Sequence, residues 1–259
     1  MSYQSNCLAA EMHGSDSAPA VVLLHPVCAS REIWRFQLPV WATSFRLILV
    51  DLPGHGLSKA LGGAPQLVDF AQALHATLDA AGIDKVSLVG VSLGAMVAQS
   101  FALTYPERTK ALVLANSGAY TPAPVKALWD ERLLNYDKLG AESHVRSTVE
   151  RWFAESYRAQ APLTVKWVEE QVRGTSRAGY FEAVEAIKGM SHLSVLPGIV
   201  VPTLVIAGER DAAVKPEICA GVADVISGSR YAVLPGGHIS NVECATEFTE
   251  LVGDFLLKS

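Results

Sequence analysis

The 259-residue sequence has few cysteines and no long apolar run. Its four cysteines, Cys7, Cys28, Cys219 and Cys244, are scattered, and no two of them form a CxxC pair. This pattern argues against a structural metal site or a disulfide framework and favours reduced thiols in the cytoplasm. No apolar segment is long enough to cross a bilayer, and the N-terminal MSYQSNCLAAEMHGSDS lacks the order of a secretion signal. We therefore expect a cytoplasmic protein that needs no metal or organic cofactor.

Positive charge is also sparse. The chain has 21 Lys and Arg against 26 Asp and Glu, which gives a net charge of -5, and it contains no basic cluster. This balance argues against nucleic acid as a partner. Together with the absence of a membrane span, it leaves a small molecule as the expected partner.

Short, continuous apolar runs recur along the chain, as is typical of strands that helices cover on both faces. The predicted strands are Ala20–Leu24, Arg46–Val50, Lys85–Val89, Ala111–Ala115, Thr203–Ala207 and Arg230–Leu234. Two spacers between them, 67–81 and 94–104, have the composition of crossover helices. The alternation of strand and helix predicts an α/β fold with a mostly parallel, doubly wound sheet.

One region breaks this alternation. Between Ala115 and Thr203 no strand-like run occurs, and the region contains three of the five tryptophans. We predict a helical cap over residues 121–196, inserted into a core domain made of residues 1–120 and 197–259. The aromatic residues of the cap either pack it onto the core or line a pocket.

The segment LVGVSLGAM contains the motif Gly-x-Ser-x-Gly, formed by Gly90, Ser92 and Gly94. The motif alone is suggestive, but here a predicted strand precedes it and a predicted helix follows it. This setting is the one that a nucleophile elbow requires. Ser92 would project at the carboxyl end of the strand, above a helix N-terminus that favours negative charge. We predict that Ser92 is a nucleophile.

A serine hydroxyl needs a base, and the base needs an acid that orients it. In this type of fold the expected chain order is serine, acid, histidine. Asp211 follows the predicted strand TLVIA, and His238 follows the predicted strand RYAVL, so both lie where open α/β sheets place their chemistry. We predict Asp211 as the acid and His238 as the base, with Glu209 as the alternative acid.

The oxyanion formed during such a reaction needs backbone donors. One expected donor is the N–H of Leu93, directly after the nucleophile, and the second should come from the loop LLHPVCAS. Pro26 has no N–H, so Val27 is the expected second donor and Cys28 the alternative. The Cys28 thiol would then lie beside the site, unless it simply packs in the core.

With these residues placed, the chain resembles the α/β-hydrolase superfamily along nearly its whole length. The matching segments are HPV, DLPGHGLS, GVSLGA, GERD and PGGH, in this order. Within the superfamily it is most similar to the 3-oxoadipate enol-lactonases, through ERWF and GYFEAVEAI in the predicted cap. The oxyanion loop HPVCAS departs from the HG-x or N-S-x-G sequence that is usual in the superfamily. The resemblance implies that Ser92, Asp211 and His238 form the catalytic triad and that Trp152 lies in the substrate pocket.

The expected reaction is hydrolysis of a carboxylic ester or lactone through an acyl-enzyme. Alternatives are C–C bond hydrolysis of a ring-cleavage dienoate, an esterase with perhydrolase side activity, and a ligand receptor that keeps the fold. Further candidates for the substrate pocket are Trp129, Tyr180, His25 and Cys28. Candidate anchors for a substrate carboxylate are the cap arginines Arg132, Arg146, Arg151, Arg158 and Arg173.

Overall fold

The computed structural model describes residues 7–259. The six residues before Cys7, which begin the stretch in which we expect no secretion signal, lie outside the described range. The strands are β1 (Ala10–His13), β2 (Ala20–Leu24), β3 (Arg46–Val50), β4 (Val86–Val91), β5 (Thr109–Ala115), β6 (Thr203–Gly208) and β7 (Arg230–Leu234). The α-helices are α1 (Leu38–Trp41), α2 (Leu67–Ala80), α3 (Leu93–Thr104), α4 (Ala123–Leu139), α5 (Ala141–Trp152), α6 (Glu155–Gln160), α7 (Pro162–Gly174), α8 (Arg177–Lys188), α9 (Pro216–Val225), α10 (Ser240–Glu243) and α11 (Ala245–Leu257).

The strands form a single sheet in the order β1-β3-β2-β4-β5-β6-β7. β1 pairs antiparallel with β3, and every other neighbouring pair is parallel. Every residue of β4 and β6 is buried, as the continuous apolar runs indicate. The predicted α/β fold with a mostly parallel sheet is confirmed.

The order of the strands creates a crevice where the candidate site lies. The chain runs outward from β2 to β3 and then returns to the other side of β2 to form β4. When the connections after two neighbouring parallel strands run in opposite directions, a crevice forms between the carboxyl ends of these strands. In open α/β sheets, ligands bind in this crevice. Leu24 at the end of β2 pairs with Gly90 near the end of β4. The loop that contains Val27 and the turn that contains Ser92 therefore begin side by side.

All six predicted strands are present, with ends that differ by two residues or fewer. β1 is not among the predicted strands, and its residues AEMH are mostly exposed at the edge of the sheet. A short edge strand with little burial carries no apolar pattern, because only one side of it contacts the rest of the sheet.

Five helices, α4 to α8, lie between β5 and β6, where the sequence predicts only helices. The chain enters and leaves this helical segment (residues 121–196) through an antiparallel contact. Tyr120 forms an isolated bridge with Ser191, and the Thr121 N–H donates to the Met190 carbonyl at 3.2 Å. Among residues 7–259, none of the helices combines the length and the apolar composition of a membrane span.

Candidate active site

Ser92 occupies the sharp turn between β4 and α3. Its φ of 54° and ψ of -116° lie outside the regions that L-residues normally adopt. A Cβ at Gly90 would overlap the backbone of Gly94, and a Cβ at Gly94 would overlap the carbonyl of Leu24. The two glycines therefore allow the strand and the helix to approach each other closely, and the strained turn holds the Ser92 side chain out of both.

Three side chains that the sequence places after separate strands meet at this turn. The Oγ of Ser92 lies 2.9 Å from Nε2 of His238, and Nδ1 of His238 lies 2.8 Å from Oδ2 of Asp211. All three side chains are buried. Such a chain of hydrogen bonds lets His238 accept the Ser92 proton through Nε2 while Asp211 holds the other ring nitrogen protonated.

The Asp211 carboxylate is held from both sides. Its Oδ1 accepts the N–H groups of Ala213 and Val214 at 2.7 and 2.8 Å, and its Oδ2 accepts the Asn116 side-chain amide at 3.1 Å. Burial alone would raise the pKa of Asp211, but His238 and these donors together hold the pKa below its usual value. Glu209, the alternative acid, is exposed and makes no hydrogen bond to His238.

Asn116 is a site residue that the sequence analysis missed. It directly follows β5, at φ 53°, and its Nδ2 also approaches the Gly237 carbonyl at 3.3 Å. Its Oδ1 accepts the Ser240 hydroxyl at 2.6 Å, so the amide orientation is fixed. The available signal was its position: a polar residue at the carboxyl end of a buried strand, as for Asp211 and His238.

The loop that carries His238 is tied to the helical segment. The His238 N–H donates to the Trp152 carbonyl at 2.8 Å, and the rings of the two residues have centroids 6.4 Å apart. The buried Glu243 carboxylate accepts the Gly237 N–H at 3.0 Å. The end of α5 is therefore built into the wall beside His238.

The two candidates for the second oxyanion donor differ in what their N–H groups contact. The Cys28 N–H donates to Nε2 of His55 at 3.1 Å, so it is already engaged. Within residues 7–259 the N–H of Val27 has no acceptor, and Val27 lines the same cavity as Ser92. The N–H of Leu93 is in the first turn of α3, where helix N–H groups lack an intrahelical partner. Val27 and Leu93 thus keep the donors that an oxyanion would need.

His25, one of the candidates for the substrate pocket, is not part of the wall of the cavity beside Ser92. The residue is fully buried, with Nε2 accepting the Leu52 N–H at 2.8 Å and Nδ1 2.7 Å from the Pro26 carbonyl. Both ring nitrogens are used by the backbone, so the ring fixes two loops to each other. Burial lowers the pKa of His25 to about 4 and, together with the neighbouring His25, that of His55 to about 3.

We predict that these neutral, buried histidines make the protein sensitive to acid. In the unfolded chain both histidines have the ordinary histidine pKa of about 6.5 and bind a proton below that pH. In the folded protein they bind a proton only near pH 4 for His25 and near pH 3 for His55. The free energy of unfolding should therefore fall as the pH drops from 6.5 towards 4, by roughly 3 kcal/mol for His25 alone. Urea unfolding at a series of pH values measures this slope.

The control for this prediction is His25→Gln, because glutamine can still accept the Leu52 N–H but does not titrate. The variant should show a shallower loss of stability between pH 6.5 and 4 than the unmodified protein. Equal slopes would contradict the assignment of the acid sensitivity to His25.

Beside Ser92 and His238 lies a cavity of about 200 Å³, the serine cavity. Four of the expected pocket residues line it, namely Trp129, Trp152, Tyr180 and Cys28. Its apolar wall includes Met96, Val125, Leu128, Ile187, Met190 and Ile218. Small-molecule sites in proteins have this character, a mostly apolar cleft with a few polar groups.

Two of the five candidate arginines, Arg132 and Arg151, line the serine cavity. Arg146, Arg158 and Arg173 are not part of its wall. Arg173 instead pairs with Glu142 at 2.7 Å and with Glu170 at 2.9 Å on the surface.

The chain is similar in sequence and in structure to known proteins. Residues 19–244 match the α/β hydrolase fold family, so the chain belongs to that family and is an α/β-hydrolase. The crystal structure of the enol-lactonase from Burkholderia xenovorans LB400 superposes with a TM-score of 0.93 at 28% identity, covering 96% of both chains.

Two relatives illustrate that similar sequences carry the names of different reactions. The 3-oxoadipate enol-lactonase 1 of Acinetobacter baylyi is 24% identical, covering 98% of this chain and 94% of the relative. The putative 2-succinyl-6-hydroxy-2,4-cyclohexadiene-1-carboxylate synthase of Bacillus subtilis is 33% identical, covering 94% and 92%. Because relatives that carry names of different reactions are similarly close, the fold alone does not identify the substrate.

Proposed function

We propose that this protein hydrolyses a carboxylic ester or lactone, with Ser92 as nucleophile, His238 as base and Asp211 as the orienting acid. The observation that carries the proposal is the continuous hydrogen-bond chain from Asp211 through His238 to Ser92, at the wall of a mostly apolar cavity. The similarity to two enol-lactonases supports a lactone as the substrate.

In the first half of the reaction, Nε2 of His238 takes the hydroxyl proton while the Ser92 Oγ attacks the carbonyl carbon. The carbonyl oxygen becomes an oxyanion, and the N–H groups of Val27 and Leu93 donate hydrogen bonds to it. Each such donor contributes about 3 to 4 kcal/mol to the stability of the transition state. The protonated His238 then gives its proton to the leaving oxygen, and an acyl-enzyme on Ser92 remains.

In the second half, His238 accepts a proton from water, and the resulting hydroxide attacks the acyl carbon. The proton returns to the Ser92 Oγ as the acyl bond breaks, which releases the acid and regenerates the enzyme. With a lactone, the leaving hydroxyl remains attached to the acyl group. Water must then compete with closure of the ring, and a pocket that admits one water near His238 would suit this step.

Residues 121–196 act as a cap over this chemistry in our proposal, and residues 7–120 and 197–259 form the core. Support comes from two contacts between these parts of the chain. The Trp152 carbonyl accepts the His238 N–H, and the Ser176 hydroxyl approaches the Gly54 carbonyl at 3.4 Å. A Cβ at Gly54 would overlap Gly179, so α8 rests directly on this loop of the core.

A substrate panel tests the proposed reaction. Activated short esters, five-membered lactones and ring-cleavage dienoates would be compared by kcat/KM on the same preparation. Turnover of esters and lactones supports the proposal, and a preference for the dienoates would instead support C–C bond hydrolysis by the same triad. Tight binding without turnover of any compound would favour a receptor.

His55 should position the oxyanion loop without touching the substrate. Its Nε2 is the acceptor for the Cys28 N–H, and Cys28 has a φ of 61°, which a non-glycine residue keeps only if its surroundings hold it there. We predict that His55→Leu lowers kcat about 100-fold with little change in KM, because the adjacent Val27 N–H moves off the oxyanion. Steady-state kinetics on a neutral ester measures both constants.

His55→Gln is the matched variant, since the glutamine amide oxygen can accept the Cys28 N–H. It should recover most of the lost kcat. If the leucine and glutamine variants lose kcat equally, the hydrogen bond to Cys28 is not what positions the loop.

A further inference from the structure

A buried carboxylate that the proposed reaction does not use lies beside the loop of His238. It belongs to Glu243, whose side chain is 2% exposed and which ends the short helix α10. The wall of the serine cavity, as formed by the described residues, does not include Glu243, so this residue does not face the space that a substrate would occupy. A carboxylate taken out of water is costly unless it is paired and hydrogen-bonded. The partners of Glu243 therefore indicate its role.

One oxygen of this carboxylate accepts two backbone N–H groups from distant parts of the chain. Oε2 of Glu243 accepts the Gly237 N–H at 3.0 Å and the Ala154 N–H at 3.4 Å. Gly237 belongs to the histidine loop (residues 235–239), and Ala154 follows the end of α5. Two N–H groups cannot bond to each other, because both are donors. The carboxylate supplies the acceptor that lets the histidine loop and the end of α5 lie together.

A direct hydrogen bond accompanies this bridge. The His238 N–H donates to the Trp152 carbonyl at 2.8 Å. A Cβ at Gly237 would lie 2.5 Å from that carbonyl oxygen and 2.9 Å from Oε2 of Glu243. Gly237 is thus held between the two acceptors, with no room for a side chain. The direct bond and the Glu243 bridge together join the histidine loop to the helical segment.

The second oxygen of the carboxylate faces the residue that directly precedes Asp211. Oε1 lies 3.5 Å from an Nη of Arg210 and has no hydrogen-bond partner within residues 7–259. The Arg210 side chain also donates to the Pro235 carbonyl, and its N–H donates to the Gly236 carbonyl at 2.9 Å. Because the Arg210 side chain is half exposed, this ion pair contributes little. The hydrogen bonds of Oε2, more than the charge, hold the histidine loop.

The position of the histidine loop decides how His238 meets Ser92. Nε2 of His238 lies 2.9 Å from the Ser92 Oγ, and proton transfer needs this short contact. Without the acceptor at Glu243, the buried Gly237 N–H would have no partner, and a buried donor without a partner favours a shift of the backbone. A displacement of 1 Å can cost about 100-fold in rate. A group that never touches the substrate can therefore control the chemical step.

We propose that Glu243 is a positioning residue for His238, because its carboxylate joins the histidine loop to the end of α5 and so keeps Nε2 within reach of Ser92. This inference rests on the proposed role of His238 as the base. It also gives the helical segment a second role. Besides lining the serine cavity, the segment contributes to the rate of the chemical step, since one end of α5 holds the base in place.

Three substitutions at Glu243 separate reach from charge. Glu243→Ala removes the acceptor and should lower kcat about 30- to 100-fold on a short activated ester, with KM changed by less than about 3-fold. Glu243→Gln keeps an oxygen at the same reach and loses the charge, so its kcat should stay within about 5-fold of that of the unmodified protein. Glu243→Asp keeps the charge but is shorter by a CH₂ group, so it should resemble the alanine variant.

Glu247→Ala is the matched control. Glu247 is exposed in the first turn of α11 and undergoes the same change. Its kcat should stay within about 2-fold. Tm is recorded for every variant, so that kcat is compared on folded protein only. Should Glu243→Ala not fold, Glu243→Asp and Glu243→Gln carry the same comparison.

Four outcomes would overturn the positioning role while the hydrolysis at Ser92 stands. Three concern Glu243 itself: the alanine variant keeps its kcat, the loss lies in KM alone, or aspartate restores kcat and glutamine does not. The fourth is an equal loss of kcat in Glu247→Ala and Glu243→Ala.

If the unmodified protein hydrolyses no ester, the proposed function fails, and crystal structures of Glu243→Ala and Glu243→Gln still test the positioning role. The distance of 2.9 Å between Nε2 of His238 and Oγ of Ser92 should be kept in the glutamine variant and lengthened in the alanine variant. An unchanged distance in both variants overturns the positioning role.

Discussion

Replacing Ser92 by alanine should lower kcat on a short activated ester by about 10⁵- to 10⁶-fold, the loss seen when the nucleophile of a serine triad is removed. The effect is large because no other nucleophile is available at this point. The neighbouring Cys28 thiol is buried, and burial raises its pKa, so that it stays protonated at neutral pH. The release of a chromogenic alcohol from the ester measures the rate, from the uncatalysed background up to full activity.

Ser87→Ala is the control for this prediction, because Ser87 is a buried serine in β4, the strand that directly precedes Ser92. It should keep full activity. Neither change should shift Tm appreciably, since alanine at position 92 keeps the same strained backbone. Retention of more than about one hundredth of the activity in Ser92→Ala would contradict the proposed nucleophile.

The site residues that the sequence could predict are mostly those that directly follow a predicted strand. Ser92, Asp211 and His238 each follow a continuous apolar run, and parallel strands bring such positions to one edge of the sheet. Local pattern and chain order are therefore enough to bring the three together. The sequence favours Val27 over Cys28 as the second donor, and the structure adds a physical reason, because the N–H of Cys28 is engaged by His55, which lies in a loop 27 residues further along the chain.

The arginines show why the rest of the site could not be predicted. Five arginines of the helical segment were candidates, and nothing in their local sequence distinguishes the two that reach the serine cavity. Arg132 and Arg151 lie on different helices, α4 and α5, and they meet only because these helices pack against each other. Helix packing depends on side chains along the whole contact, so the pairing of two polar residues across it is a tertiary property.

His25 is a case in which the sequence suggests a binding residue and the structure gives the side chain other contacts. A histidine at the end of a strand beside the oxyanion loop looks suited to bind substrate. In the structure its two ring nitrogens are used by Leu52 and Pro26, both of which are backbone partners. Whether a polar side chain faces the cavity or a neighbouring loop depends on the backbone geometry and the side-chain rotamer, which the order of residues in the sequence does not specify.

Replacing Asp211 by asparagine should lower kcat by about 10⁴-fold without unfolding the protein. The hydrogen bonds of the present carboxylate explain the size of the effect. Its Oδ1 accepts two backbone N–H groups, from Ala213 and Val214, so the oxygen of an asparagine would stay at that position. The NH₂ group would then occupy the place of Oδ2 and point at Nδ1 of His238.

A donor at that place reverses the role of His238. Nδ1 would have to accept a hydrogen bond, so the ring proton would move to Nε2, which faces Ser92. In that tautomer Nε2 cannot take the serine proton, and the first step of the reaction is blocked. Asn116, which donates to the same Oδ2, would also meet a second NH₂ group, so a modest loss of stability should accompany the loss of activity.

Glu209→Gln provides the comparison that assigns the acid. Glu209 is exposed, lies two residues before Asp211 and undergoes the same change from carboxylate to amide. It should retain kcat within about 2-fold, as is usual for a surface substitution away from the site. Measured on one ester at neutral pH, a 10⁴-fold difference between the two variants would assign the orienting role to Asp211. A large loss in Glu209→Gln with little loss in Asp211→Asn would transfer it to Glu209, and the hydrogen bond between Asp211 and His238 would then not be the one that the reaction uses.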